Sequence, residues 1–236
     1  QDAPFLIYQE SSMMARLTRD YCDETVDEVY IDDKEFFDNF IGAKKLFLPH
    51  HDLKIEHHSD LTPIFSKHKI EKQVQTVYKR NINLPSGGNI VIDSTEALVS
   101  IDVNSARSTK GSDIEETALN TNIEAAVEIL TQLKLRDIGG LVVIDFIDMM
   151  SINSQKNVMR KVAEYAKKDK AKIQFARISK FGLMELSRQK LKSSIIQNNY
   201  ENCPTCGGTG QIKSLSSLAI SILRIIEEEA INSTSK

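Results

Sequence analysis

The sequence predicts an α/β protein made of strand and helix units in layers, and three features carry that expectation. Short runs rich in Val and Ile alternate with longer stretches whose apolar residues recur at helical spacing. Glycine pairs, Gly87-Gly88 and Gly139-Gly140, stand just ahead of such runs as turn signals. One run, Leu141 to Phe146, is apolar apart from Asp145, which predicts a strand buried on both faces.

In chain order, residues 11–22 predict a short helix with Met13, Met14, Leu17 and Tyr21 roughly on one face, followed by a strand at 26–31. Helical spacing returns over 33–41. Residues 48–63 hold four of the five histidines and two prolines, and predict an irregular connection with a short strand at 53–56. A helix over 63–80 follows, with Pro63 in its first turn, where the amide it lacks would be unpaired anyway. A domain boundary is expected near residue 82, ahead of strands at 89–93 and 97–103. The helix over 114–134 opens on a capping box, in which Ser112 accepts from the Glu115 amide and the Glu115 carboxylate reaches back. A helix at 152–168 and a strand at 171–176 continue the scheme.

A chain of 236 residues can bury one core or two smaller ones. Its 41% apolar and 27% charged content is globular usage, which argues against a disordered chain. No apolar run approaches the roughly 18 residues that span a bilayer. No basic stretch followed by an apolar one opens the chain, so no secretory signal is visible. The first residue is Gln1, which suggests a piece of a longer chain. Three cysteines make no disulfide framework at this size, so a reducing, cytoplasmic setting is expected. The net charge of −3 hides a division: residues 1–62 carry 14 acidic and 6 basic side chains, whereas residues 151–192 carry 12 basic and 3 acidic. The basic stretch is either a footprint for a polyanion or a solvated helix face.

Two acids stand at or near the ends of apolar strands, Asp102 in Ile101-Asp102-Val103-Asn104 and Asp145 in Ile144-Asp145-Phe146. Strand alternation turns their apolar neighbours to the opposite face. A carboxylate in such surroundings is costly unless paired or bound to a cation, and no base lies within two residues of either. The readings are a hard-oxygen site for Mg²⁺ or Mn²⁺, or structural acids capping loops. Asn104 shares the face of Asp102 and could orient a water or a phosphate. Asp148 is read first as a strand-end cap.

Cys203-Pro204-Thr205-Cys206, followed by Gly207-Gly208-Thr209-Gly210, is read as a zinc knuckle. Structural zinc takes four protein ligands and only two are close in sequence, so two chains sharing one zinc is the economical answer. Cys22 and the histidines are read as non-ligands, the histidines as surface residues. A redox dithiol is the rival reading, weakened because a glycine turn and not a long helix follows the pair. In the basic stretch, Lys172, Lys180 and Arg188 are candidate phosphate contacts, as are Arg107 and Lys110 in a basic loop beyond Asp102. Phe181 is either a base-stacking ring or a core side chain.

These residues spell a wider resemblance. Residues 101–107, Asp113-Ile114-Glu115-Glu116-Thr117, Asn120-Thr121-Asn122, residues 139–149, residues 177–183, residues 203–210 and Ser221-Ile222-Leu223-Arg224 together resemble the ribonuclease E/G family over nearly the whole chain. The resemblance implies part of a ribonuclease-H-like subdomain over 1–81, a DNase-I-like α/β catalytic subdomain over 82–200, a zinc link over 201–210 and the start of a small dimerisation domain over 211–236. It further implies an endoribonuclease acting on single-stranded RNA in RNA processing and decay, with Asp102 and Asp145 as magnesium ligands and Asn104 as their companion. A metal-activated water would leave a 5′-phosphate and a 3′-hydroxyl. Cys203 and Cys206 would form half of a Zn²⁺ site joining a homodimer, with a tetramer in the full-length protein. Lys172 stands where the family tends to carry an arginine that holds a sensed 5′ phosphate, so a point charge replaces a planar fork. The resemblance places the family's S1 and 5′-sensor modules ahead of Gln1. Two rivals stay open: a non-catalytic RNA-binding or scaffold fragment, and a zinc-stabilised chaperone-like module.

Overall fold

The computed structural model describes residues 13–22, 26–105, 114–195, 199–201 and 203–234. It divides into two compact units between Thr76 and Val77.

The first unit contains α1 (Met13–Tyr21), β1 (Glu28–Ile31), α2 (Lys34–Phe47), β2 (Lys54–His57), α3 (Ile64–Lys67) and α4 (Glu71–Thr76). Strands β1 and β2 pair in parallel, and Cys22, Ile31, Phe40 and Leu53 form the buried centre. Asp33 starts α2 by accepting the Phe36 amide at 2.6 Å. The helix expected over 63–80 is instead two short ones, broken where Lys69 takes φ 56°. Neither piece buries a residue, so no packing enforces one continuous helix. His58, expected at the surface, is buried and its Nε2 donates to the Thr62 carbonyl at 2.8 Å.

The second unit contains β3 (Asn81–Asn83), β4 (Asn89–Ser94), β5 (Val99–Asn104), α5 (Ile114–Leu135), β6 (Gly140–Asp145), α6 (Ile152–Ala166), β7 (Ile173–Phe175), β8 (Leu183–Arg188) and α7 (Leu215–Thr234). Strands β3 to β8 form one sheet in the order β3-β4-β5-β6-β8-β7. Only β5 and β6 run parallel, joined through α5, because a parallel pair needs a long crossover. One face is closed. Ile90, Ile92, Ile101, Val142, Ile144 and Met184 point inward, packed with Ala125, Ile129 and Leu133 of α5 and with Val158 and Val162 of α6.

The opposite face is open, which corrects the expectation that β6 is buried on both sides: Leu141 is 46% exposed and Asp145 lies at the surface. The continuous apolar run misled because Val143 and Leu141 line an uncovered face. Strand β8 escaped the sequence reading because only half its residues are apolar and a charged residue occupies one of its inward positions. That residue is Arg188, 2% exposed. It donates to Asp169 at 2.8 and 3.2 Å and to the Ile138 carbonyl at 2.9 Å. Its proposed contact with phosphate is therefore corrected: the guanidinium ties β8 to the entry of β6. Asp169 is held below the usual carboxylate range by Arg188 and the Ala171 amide, although burial pushes the other way.

Among the described residues no helix is long and apolar enough to cross a membrane. Replacing Arg188 with Ala takes from the buried Asp169 carboxylate its ion-pair partner, and is expected to cost about 3–5 kcal/mol in urea unfolding. An unchanged midpoint would show that the pair does not brace the sheet.

Candidate active site

Parallel pairing sets the carboxyl ends of β5 and β6 side by side, with Asp102 directly opposite Asp145. Alternation explains why both acids face out: Ile101, Val103 and Ile144 fill the inward positions and are 5% exposed or less. The next residues across the sheet are Val91 beside Asp102 and Leu183 beside Asp145, so apolar walls flank the two carboxylates. Together they line an open hollow of about 210 Å³. The Asn104 side-chain amide donates to Asp102 Oδ2 at 2.8 Å and fixes the carboxylate's orientation. Gly88 stands against Asn104: a Cβ there would lie 2.5 Å from the Asn104 carbonyl oxygen, so only glycine lets the β3–β4 turn approach this closely.

Asp145 is pushed above the usual carboxylate range, first by desolvation and then by the negative charges of Asp102 and Asp148. Asp148, expected as a cap, is exposed, and no described residue donates a hydrogen bond to it. The geometry brings it to Asp145 instead. Gly182, at φ 77°, has its Cβ direction 3.3 Å from Asp148 Oδ1 and 3.8 Å from Asp145 Oδ1.

The loop that carries Asp148 is held from α5. Buried Asn122 clamps Ile147, donating to its carbonyl at 2.8 Å and accepting its amide at 3.0 Å. The Glu115 carboxylate accepts the amides of Met150 and Ser151 at 2.9 and 3.1 Å. Glu115 is held below the usual range by the Ser154 hydroxyl first and then by those two amides. The capping box expected between Ser112 and Glu115 involves a residue outside the described ones; within them, the Glu115 carboxylate braces the neighbouring loop. The sequence reading assigned no role to Asn122. A signal was present, because Ala118, Asn122, Ala125 and Ile129 share the buried stripe of α5, and an amide there has to find partners.

The acids fit a hard divalent cation. Two facing carboxylates about 5 Å apart repel by roughly 3 kcal/mol under moderate screening. A surface base would return about 1 kcal/mol or less, whereas a doubly charged ion reverses the sign of the interaction. Among the described residues no group of three or more His, Cys, Asp or Glu side chains is arranged to hold a metal. Mg²⁺ needs no such cage, because it is commonly bound through one or two carboxylates and keeps several waters.

The remaining candidates are spread out. Arg107 and Lys110 lie outside the described residues. Lys180 and Phe181 sit on the turn before β8, at the same end of the sheet as Asp145, and Phe181 is 79% exposed, not a core ring. Lys172 lines a separate hollow of about 260 Å³ with Gln174, Ser187 and Gln189. In the cysteine turn the Gly210 amide donates to Cys206 Sγ at 3.4 Å, while Gly207, Gly208 and Gly210 all take positive φ. Cys203 is held below the usual thiol range by hydrogen bonds from the Cys206 and Thr205 amides. Two thiols with inward amides suit a metal thiolate site that is half complete. Cys22 is buried in the first unit.

Fold and site define a mixed α/β protein with a facing carboxylate pair at the carboxyl ends of the parallel strands β5 and β6. The chain belongs to the Ribonuclease E/G family, whose model matches residues 1–191; a second model, the RNase E/G thioredoxin-like domain, matches residues 202–236. The chain is 49% identical to Ribonuclease E of Haemophilus influenzae over 234 residues, which cover 99% of this chain and 25% of that protein. It is 49% identical to Ribonuclease E of Escherichia coli over 97% of this chain and 22% of that protein. Ribonuclease G of Salmonella typhimurium is 32% identical over 94% of this chain and 45% of its own length. The chain thus spans about a quarter of the Ribonuclease E relatives it matches.

Two stability measurements check the site. Because the folded pKa of Asp145 is raised, its charge opposes folding: the penalty is absent below the unfolded pKa of about 3.9 and complete above the folded value. Without divalent ions, Asp145→Asn should therefore raise the Tm at pH 7 by about 1–3 °C and leave it unchanged near pH 3. Glu115 has the opposite sign, contributing stability above about pH 4.3 that is lost as pH falls through its lowered folded pKa. Glu115→Gln should flatten that acid limb in a pH series of thermal melts; an identical limb would remove the carboxylate from the loop's support.

Proposed function

We propose that this chain carries the cleavage centre of an endoribonuclease that cuts single-stranded RNA to 5′-phosphate and 3′-hydroxyl ends, in RNA processing and decay in the cytoplasm. The observation that carries the reading is the Asp102–Asp145 pair in register at the ends of two parallel strands, on an uncovered face, in a member of the Ribonuclease E/G family.

Asp102 and Asp145 would hold Mg²⁺, which when bound polarises water and offsets charge at a phosphoryl oxygen. Asn104 keeps Asp102 turned toward that position through its 2.8 Å hydrogen bond. Asp148 adds negative charge beside Asp145, which a bound divalent cation would offset. The flat open face admits an extended strand, and the exposed Lys180 and Lys172 offer charge to its phosphates. Arg107 and Lys110 are proposed to grip the phosphate backbone from the segment that follows β5 in the sequence. Cys203 and Cys206 supply two of the four ligands of a structural Zn²⁺, and a second copy supplies the others, giving a homodimer. The full-length protein would carry the larger, tetrameric assembly.

Incubation with a labelled A/U-rich RNA tests the reading. The chain is expected to make internal cuts only with Mg²⁺, and Asp102→Asn and Asp145→Asn are each expected to lower the rate at least about 100-fold without loss of folding. Because the chain spans only about a quarter of its Ribonuclease E relatives, the competing reading is a binding fragment. It predicts RNA affinity indifferent to Mg²⁺ and to Asp102→Asn, with no cuts. Metal analysis and sedimentation check the link separately: about one zinc per two chains is expected, with Cys203→Ser yielding zinc-free monomers.

A further inference from the structure

Phe181 is a large apolar ring at the tip of a turn that has no need of it. The turn is fixed by its backbone: the Gly182 amide donates to the Ser179 carbonyl at 3.2 Å, and the Ser179 amide to the Leu183 carbonyl at 2.8 Å. The Ser179 hydroxyl oxygen also accepts the amides of Phe181 and Leu183, at 3.2 and 3.3 Å. None of these contacts uses the ring, which is 79% exposed. A fully buried phenylalanine would gain about 2–3 kcal/mol, and here that gain is forgone.

The turn's place gives the ring a use. The residue after Phe181 lies against Asp148 and Asp145, 3.3 and 3.8 Å from its Cβ direction, and the residue before it is the exposed Lys180. Consecutive Cα atoms are about 3.8 Å apart, so the Phe181 backbone lies within about 9 Å of the Asp145 carboxylate. No aromatic side chain lines the hollow that holds the two acids, whose walls include Val91, Ser100, Val143 and Leu183. A nucleobase next to a phosphate at the two acids would find one apolar plane within reach, with a cation beside it for the next phosphate.

We infer that Phe181 is the stacking platform for an unpaired nucleobase flanking the phosphate held at Asp102 and Asp145. The inference rests on the nuclease reading above and deepens it by naming what the site recognises. Stacking on one aromatic face is tolerant of base identity, because every base has a π-face, but it requires a face freed from the helical stack. Selection of single-stranded over paired RNA would thus be made beside the scissile bond, and with little sequence preference.

The test uses the 236-residue chain with an RNA carrying one 2-aminopurine next to its mapped cleavage position, with binding read in the Asp145→Asn background and cleavage in the unaltered one. The ring is exposed, so Phe181→Leu and Phe181→Trp should both keep the unaltered Tm. Phe181→Leu is expected to abolish the fluorescence quenching, raise KM about tenfold or more with little change in kcat, and narrow the preference for single-stranded over duplex RNA. Phe181→Trp should restore all three. If the unaltered chain cuts RNA while Phe181→Leu leaves KM and quenching unchanged, the platform is overturned and the nuclease reading stands. If Phe181→Leu changes only the oligomeric state, the ring is a protein contact and the inference falls. If the unaltered chain neither binds nor cuts the RNA, the nuclease reading fails and takes this one with it.

Discussion

The parallel pairing of β5 with β6 is the constraint on which the rest of the second unit depends. It is the one parallel contact in an otherwise antiparallel sheet. Reversing it would send the two carboxyl ends to opposite edges and separate Asp102 from Asp145. The crossover that makes it possible is α5, and the same helix closes the inner face with Ala125, Ile129 and Leu133. One long helix thus sets the strand direction, buries the core and brings the acids together.

That helix also holds the chemistry in place. Asn122 clamps Ile147 and Glu115 holds Met150 and Ser151, so the loop leaving β6 is braced at two points on either side of Asp148. A loop that leaves Asp145 between the negative charges of Asp102 and Asp148 needs such bracing, because the repulsion felt by Asp145 would otherwise be relieved by moving the loop. The Asn122 side-chain amide and the Glu115 carboxylate do this by holding backbone groups, without adding a cation that would compete for the carboxylates.

The distribution of base and acid has a similar logic. Part of the basic stretch is structural: Arg188 is spent on Asp169, Lys161 on Glu164, and Lys168 lies over the ring of Tyr165, 4.1 Å from its centroid. Lys172 and Lys180 stay exposed on the strand-edge side and the turn. Composition counts all these residues alike, and only the partners each one meets in the fold divide the braces from the charges still open to a polyanion.

The sequence by itself determined the α/β alternation, the order of elements over residues 89–166, the placing of Asp102 and Asp145 on the strand face opposite their apolar neighbours, the glycine-rich cysteine turn and the family. Each follows from local rules: a strand alternates every residue, a helix repeats about every 3.6, and glycine marks positive φ. Tertiary structure decided what local rules cannot reach. It left one sheet face open where an apolar run implied two covered faces, and inserted β8 between β6 and β7. It also buried Arg188, turned Phe181 out to solvent, and set the Glu115 carboxylate against a neighbouring loop. In each case the outcome depends on which segment arrives from a distance to pair with or cover the residue, and chain neighbours carry no record of that.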